Sequence, residues 1–415
     1  MRPDPKVFLT ASWSLATAAA LALVVLVATS PSHPIYDEAW FLATVDLLAR
    51  DGFSLTFLRE FPGAAGPTFT LTFAALDSLF GLTFPWLRLI NVVLLIATAG
   101  LIGRCLAVAR PQTPAPLLIG AMLVVLPTAG VAAGMALTEM PAAFFAVMSV
   151  ALLAHAMVAP RAAALAFSAA SGIALAAAIL GRQNYLVLLP CLALAIRWRD
   201  GRPDRDDLCR VTLTAAIAVA LTAPVFIVWG GLVPPRTAWS TAGLALDNAV
   251  RGAGYAGVIL LLLAPRIYAP LRQPAWLVAL ALAAAPVAFM LGGGFVPLRA
   301  TTMTLFGERA LTPVGWTAAY LLSFAAVAFA ACFTLHLWRH RHEWLTRMSG
   351  VAVLLGLMSN AKITHQFSSR YVFIVVPLLV LAAAPALRIT RWTPLQMTSA
   401  AGISLAALAS YYLSG

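Results

Sequence analysis

Apolar positions along this chain come in long unbroken runs, and polar ones gather in short breaks between them. The runs lie near residues 8–29, 86–109, 115–133, 141–158, 163–181, 184–196, 211–230, 254–264, 275–291, 313–336, 345–361, 371–386 and 394–413. Most approach the ~20 residues that carry an α-helix across a bilayer core. Inside lipid the chain must satisfy every backbone polar group itself, which restricts spanning elements to helices and closed barrels. The runs are continuous instead of alternating, so the pattern predicts helices. Runs 184–196 and 254–264 are short for a crossing. The expected architecture is an all-α polytopic membrane protein of about 13 transmembrane helices, one domain over residues 1–415.

One region breaks the pattern. Residues 30–85 read as a long first outer loop, followed by core helices over 86–386 and a C-terminal span within 387–415. The stretch "HPIYDEAWFLATVDLLARDGF", His33 to Phe53, predicts an amphipathic helix with Trp40, Phe41, Val45 and Leu48 on one side. Asp46 and Arg50 stand four apart and are expected to pair on its wet face. In "PTFTLTFAALDSLFGLTF", Thr68, Thr70, Thr72 and Asp77 interrupt the apolar run, which predicts a juxtamembrane or re-entrant helix.

Composition agrees with this reading. The chain is 62% hydrophobic and 10% charged, against about 25% charged in soluble domains. A water-soluble monomer is excluded. Arg2 and Lys6 precede the first run. It is expected to remain as a span, because it is longer than a signal-peptide core and "VATSPSH" is a poor cleavage site. Cys105, Cys191, Cys209 and Cys332 are scattered, without metal-ligand or disulfide spacing.

The net charge of +12 comes from arginines that punctuate the runs, so it points to topology and not to nucleic acid. With the N-terminus inside, 17 of the 27 Lys and Arg residues fall on cytoplasmic segments, as the positive-inside rule requires. Asp37 and Glu38 are then extracytoplasmic, in a cell (inner or plasma) membrane.

Ionisable groups at bilayer depth cost about 2.5–3.5 kcal/mol or more, so each one there needs a reason. At outer span ends the chain carries Asp37 and Glu38, Glu139 in "ALTEMPAAFF", Arg182 in "LGRQNYLV", and Lys362, His365 and Arg370 in "SNAKITHQFSSRYVF". Taken singly, each has a plain alternative: the acids cap helix starts and the arginines reach for the interface. Together they suit a reaction in which a hydroxyl attacks and a lipid phosphate leaves. A carboxylate takes the proton, and arginines stabilise the departing phosphate through bidentate hydrogen bonds.

At these residues the chain resembles the GT-C glycosyltransferases, integral membrane enzymes that use polyprenyl-phosphate-linked sugars as donors. "YDEAWF" is similar to their acidic motif after the first span, and "ALTEMPAAFF" to their second-loop acid. "GRQNY" is similar to the "RQ-x-N" segment of the dolichyl-phosphate-glucose enzymes, and "HQFSSRYVFIVVPLL" to the late "H…RY…P" segment. The resemblance implies a GT-C-like bundle with juxtamembrane helices in its first outer loop. It implies Asp37 as general base, with Glu38 supporting or sharing that role, and Glu139 as the second acid. It implies Arg182 and Arg370 as donor-phosphate ligands, joined by His365, Tyr371 and Lys362. The implied reaction is an inverting single displacement from a polyprenyl-phosphate sugar, with no cofactor and no metal indicated. No soluble outer domain follows the last run, which favours a lipid or glycan acceptor over a protein. The rival readings are a lipid-linked sugar transporter or flippase, and an O-antigen ligase or polymerase.

Overall fold

The computed structural model describes residues 5–81, 83–199, 201–237, 243–292, 303, 307–364 and 367–414. Each expected run is helical over at least part of its length. Among the described residues, eight helices are long and apolar enough to cross a membrane: Lys6–Ala28, Trp86–Ala109, Glu139–Ala156, Arg161–Gly181, Arg205–Trp229, Leu246–Leu263, Pro274–Leu291 and Leu311–Arg339. Shorter apolar helices span Thr68–Phe80, Pro116–Val125, Gln183–Ala195 and Val376–Ala386. Helices Trp344–Ser359 and Thr393–Ser414 complete the bundle.

Where runs break, proline chemistry supplies the reason. The run 115–133 divides into Pro116–Val125 and Ala129–Gly134. Leu126, just before Pro127, is extended at ψ 145, because the proline ring clashes with a helical residue before it. The run 371–386 divides into Arg370–Phe373 and Val376–Ala383, and Pro377 opens the second piece, where its missing N–H costs nothing. Leu246–Leu263 begins well before the expected 254. Its first turns carry polar groups that satisfy one another or the neighbouring backbone, which hydropathy alone does not register. Asp247 pairs with Arg251 at 3.0 Å, and Asn248 Nδ2 donates to the Ile363 carbonyl at 2.6 Å.

Charged residues sort to the two ends of the bundle. Helix Leu89–Ala109 has 21 residues, with Arg88 before it and Arg110 after it. At 1.5 Å per residue its ends lie roughly 30 Å apart. Arg110 meets Glu343 at 2.9 Å. In the segments linked to it, Arg347 donates to the Leu194 carbonyl at 2.6 Å and Arg197 pairs with Asp207 at 2.7 Å. The Arg88 end gathers Asp37, Glu38, Glu139, Arg182 and Arg370.

Residues 30–85 fold as a cap on that second end. Helix Glu38–Asp51 packs on Thr68–Phe80, with the Thr44 and Thr70 hydroxyls 2.6 Å apart and the Phe41 and Phe69 rings at 5.7 Å. Thr68 Oγ1 donates to the Ala177 carbonyl at 2.6 Å, tying the cap to the span beneath. Gly66 lies so close to the Leu180 carbonyl that a Cβ would come within 2.2 Å of its oxygen. Only glycine permits that approach.

The join between cap and bundle is a buried ion pair, Glu38 with Arg88, both side chains 0% exposed. Arg88 Nε and Nη2 donate to the two Glu38 oxygens at 2.8 and 2.6 Å. Its other donors reach Ser30 Oγ at 2.7 Å and the Pro31 and His33 carbonyls at 2.6 and 3.0 Å. Glu38 also accepts from Ile35 N at 2.8 Å and Ala136 N at 2.7 Å. A guanidinium has about five N–H donors and a carboxylate about four acceptor positions. This pair is therefore saturated. The Arg88 guanidinium also sits over the Phe84 ring, 4.6 Å from its centroid.

Two expectations follow. Removing one partner strands a buried charge, so Arg88→Ala and Glu38→Ala should each lower unfolding stability by about 3–5 kcal/mol. The double variant should lose much less than the sum; denaturation in detergent measures all three. Reporters fused after Ser32 and within Gly201–Asp207 should lie on opposite sides of the membrane, as accessibility labelling of intact cells would read.

Candidate active site

Four elements deliver the charged side chains. Tyr36 stands at φ 50, a left-handed conformation for a residue with a Cβ, just before Asp37. Asp37 lies at the start of helix Glu38–Asp51, yet its side chain makes no capping hydrogen bond. The capping alternative is thus not what this structure displays. Glu38 turns into the protein to Arg88, whereas Asp37 reaches Arg370, at the start of the short helix Arg370–Phe373.

Glu139 opens helix Glu139–Ala156. The approach to it is held from two sides. Asn91 Nδ2 donates to the Met135 and Leu137 carbonyls at 2.7 and 3.0 Å, and Ala136 N donates to Glu38. Arg182 ends helix Arg161–Gly181, with its backbone extended at ψ 116. The three residues after it fasten this corner. Gln183 Nε2 donates to the Ala64 carbonyl of the cap at 3.3 Å, and Asn184 Nδ2 to Ser359 Oγ at 2.6 Å. The Tyr185 hydroxyl donates to the Ile374 carbonyl at 2.7 Å, four residues beyond Arg370.

The charges alternate in sign: Asp37, Arg370, Glu139, Arg182. Arg370 Nη2 contacts Asp37 Oδ2, and its Nε lies 3.6 Å from Glu139 Oε1. Arg182 Nη2 contacts the same Glu139 oxygen. Side-chain exposure grades from 51% at Asp37 to 8% at Arg370, 12% at Arg182 and 0% at Glu139. Asp37 is the open mouth of the row. The Tyr371 ring centre is 5.2 Å from the Arg370 guanidinium carbon and 5.8 Å from that of Arg182.

Unlike the Arg88–Glu38 pair, this row is not saturated. Glu139 Oε2 and the Nε atoms of Arg182 and Arg370 are buried and have no hydrogen-bond partner among the described residues. A buried polar atom without a partner costs about 1–3 kcal/mol. The row therefore holds donors in reserve beside a partly open carboxylate. Chemically, it offers one proton acceptor in contact with solvent and two forks suited to an oxyanion.

The structure thus brings together Asp37, Glu139, Arg182, Arg370 and Tyr371. Glu38 lies apart from them, fully engaged with Arg88. Lys362 is exposed at the end of the turn Asn360–Lys362, outside this row of contacts. His365 lies outside the described residues. Among the described residues, no group of three or more His, Cys, Asp or Glu side chains is placed to hold a metal ion.

Sequence reasoning did not single out Arg88, Tyr411 or Tyr412. Tyr411 meets the Tyr36 ring edge-on at 5.6 Å, and its hydroxyl is 2.9 Å from Ser368 Oγ, two residues before Arg370. The Tyr412 hydroxyl donates to the Gly134 carbonyl, and its ring lies 5.5 Å from the Arg88 guanidinium. Two signals were available. Arg88 opens an apolar run, where a charge needs a partner, and "YY" closes the last run, a place for interfacial aromatics.

No family model and no curated protein matches the sequence. Among solved structures, the chain is similar to ArnT from Cupriavidus metallidurans in the apo state, at 16% identity and TM-score 0.45, over 96% of this chain and 76% of that one. It is likewise similar to the same protein bound to undecaprenyl phosphate, at 14% identity and TM-score 0.47, over 95% and 76% of the two chains. A further similarity is to the oligosaccharyltransferase AglB from Archaeoglobus fulgidus in complex with an inhibitory peptide and a dolichol-phosphate. There the identity is 13% and the TM-score 0.42, and the alignment takes in 97% of this chain and about half, 55%, of AglB.

Proposed function

We propose that the protein is a GT-C-type glycosyltransferase that moves a sugar from a polyprenyl-phosphate donor to a lipid or glycan hydroxyl at the extracytoplasmic membrane surface. The observation that carries this reading is the unsaturated row of alternating charges, open at Asp37, with Glu139 buried between the two arginines. Such a site matches the charges of the reaction. The acceptor oxygen attacks the anomeric carbon as its proton passes to Asp37. The bond from that carbon to the phosphate oxygen breaks, and the phosphate leaves with one more negative charge, inverting the anomeric centre.

In this reading Arg370 has two partners in turn. Without donor it neutralises Asp37, which keeps both charges tolerable in a half-buried place. With donor bound, its fork and that of Arg182 turn toward the phosphate, and Asp37 is released to act as base. Glu139 stays between the two arginines and holds them at a fixed spacing, a positioning role. Glu38 is assigned to structure, because its acceptor positions are filled by Arg88 and two backbone amides. Tyr371 sets the separation of the two cations. Lys362 and His365 remain donor-side candidates by resemblance alone.

The decisive experiment incubates purified protein with a panel of radiolabelled polyprenyl-phosphate sugars and follows transfer of label out of the lipid. Donor binding is measured separately. Transfer by none of the panel, with donor carried across vesicles instead, would favour a transporter. Asp37→Asn should fold normally and bind donor at least as well as the native protein, since Arg370 loses its competing partner. Its single-turnover transfer should fall by about 10²–10⁴-fold. Arg370→Ala and Arg182→Ala should each weaken donor binding by ~1.5–3 kcal/mol. Lysine at either position should restore little, because an ammonium lacks the planar fork. Glu38→Gln should lower stability and leave transfer per folded molecule largely intact. Near-normal transfer by Asp37→Asn would sink the base assignment.

A further inference from the structure

At the end of the bundle away from Asp37, the structure holds a cavity of 330 Å³ lined by Arg197, Trp198, His342, Trp344 and Arg347. We propose that this cavity binds the phosphate headgroup of an anionic membrane phospholipid. It is separate from the site above. Helix Trp344–Ser359 starts at the cavity and ends beside Asn184 in the charged row's corner, and its 16 residues set the two about 24 Å apart at 1.5 Å each.

The electrostatics come from how the local arginines are partnered. Arg347 donates Nε and Nη2 to the Leu194 carbonyl at 3.0 and 2.6 Å, and Nη1 to the Arg341 carbonyl at 3.1 Å. Among the described residues it meets no carboxylate. Arg197 and Arg210 both pair with Asp207, at 2.7 and 3.2 Å, and Asp204 acts on Arg197 from farther off. Glu343, between His342 and Trp344 in sequence, is turned to Arg110 and His340, at 2.9 and 3.1 Å. Among the described residues the cavity lining carries two arginines, Arg197 and Arg347, and no acid.

The occupant's apolar part is argued from the two tryptophans. Trp198 is 66% exposed, on a two-residue strand paired with Arg202–Pro203. Trp344 is half-buried at the first turn of its helix. Tryptophan favours the headgroup level of a bilayer, with its ring among acyl chains and its N–H in the wet layer. Basic cavities between helices at that level suit anionic headgroups. A soluble phosphate would use the arginines and have no use for the exposed indole. That favours the lipid.

The test uses the full chain in detergent and native mass spectrometry. The probes are dioleoyl phosphatidylglycerol, dioleoyl phosphatidylcholine and glycerol 3-phosphate. One phosphatidylglycerol should be retained in preference to phosphatidylcholine and should raise the thermal midpoint. His342→Glu puts a carboxylate on an exposed lining residue, so the lipid-free midpoint should hold while phosphatidylglycerol affinity drops about fivefold or more. Trp198→Ala should lower affinity for phosphatidylglycerol and leave any glycerol 3-phosphate binding unchanged. Equal retention of the two lipids would overturn the proposal. So would undiminished phosphatidylglycerol binding in both variants, or full displacement of the lipid by equimolar glycerol 3-phosphate.

Discussion

The salt bridge between Glu38 and Arg88 is the interaction on which the rest of the upper architecture depends. It joins the start of the cap helix to the start of a long apolar helix, and through Ala136 N it also holds the strand of backbone leading to Glu139. Three chain segments far apart in sequence meet at two side chains. Buried ion pairs are often no better than an apolar substitute, because desolvation offsets the attraction. This one escapes the usual penalty by saturation: the five donors of Arg88 and the acceptor positions of Glu38 are taken. What it gives in return is register. Glu38 cannot rotate without breaking contacts to all three segments, so Asp37, its neighbour in sequence, is fixed in direction.

That register explains how two adjacent acids come to differ. The left-handed Tyr36 before them and the helix after them send one carboxylate inward and leave the other half-exposed. The inner acid meets a full set of partners and has no lone pair to spare. The outer acid meets one arginine whose own Nε is left over. The contrast between a saturated pair and an unsaturated row separates scaffold from site better than burial does. Arg370 and Arg88 are both buried, yet of the two only Arg370 retains an unused donor among the described residues.

Much of this was legible in the chain. Continuous apolar runs specify helices because lipid leaves the backbone no other partner. Each expected run contains helix, though only eight helices among the described residues are long and apolar enough to cross a membrane, against about 13 expected. Proline effects were legible less well. Leu126-Pro127 and Pro377 divide runs that hydropathy reads as whole, since their neighbours remain apolar on both sides of the break. The start of Leu246–Leu263 was hidden for the opposite reason: Asp247, Asn248 and Arg251 look like loop residues until their mutual contacts are seen. At the site, Asp37, Glu139, Arg182 and Arg370 stood out as charges at run ends, and they converge. Nothing in the sequence separates Glu38 from Asp37, because the difference arises from Arg88, fifty residues away. Pairing is a tertiary property.

The broken segments have a physical connection to the charged row. Arg182 sits where helix Arg161–Gly181 gives way to tight turns, and Arg370 where the chain begins a four-residue helix before restarting at Val376. Irregular backbone at membrane depth is tolerated only where protein or a polar cavity satisfies its amides. Here side chains do part of that work. Tyr185 donates to the Ile374 carbonyl, and Gln183 to the Ala64 carbonyl. Arg182, just past its helix, reaches Glu139, and Arg370, at the start of its short helix, reaches Asp37 with its Nε 3.6 Å from Glu139. A straight helix would carry its arginine along the lipid-facing or core-facing stripe, where a guanidinium is costly. The same discontinuity that weakens these segments as spans therefore places the arginines, and the 3₁₀ turn after Arg182 and the short helix at Arg370 are better understood as part of the site than as defects in the bundle.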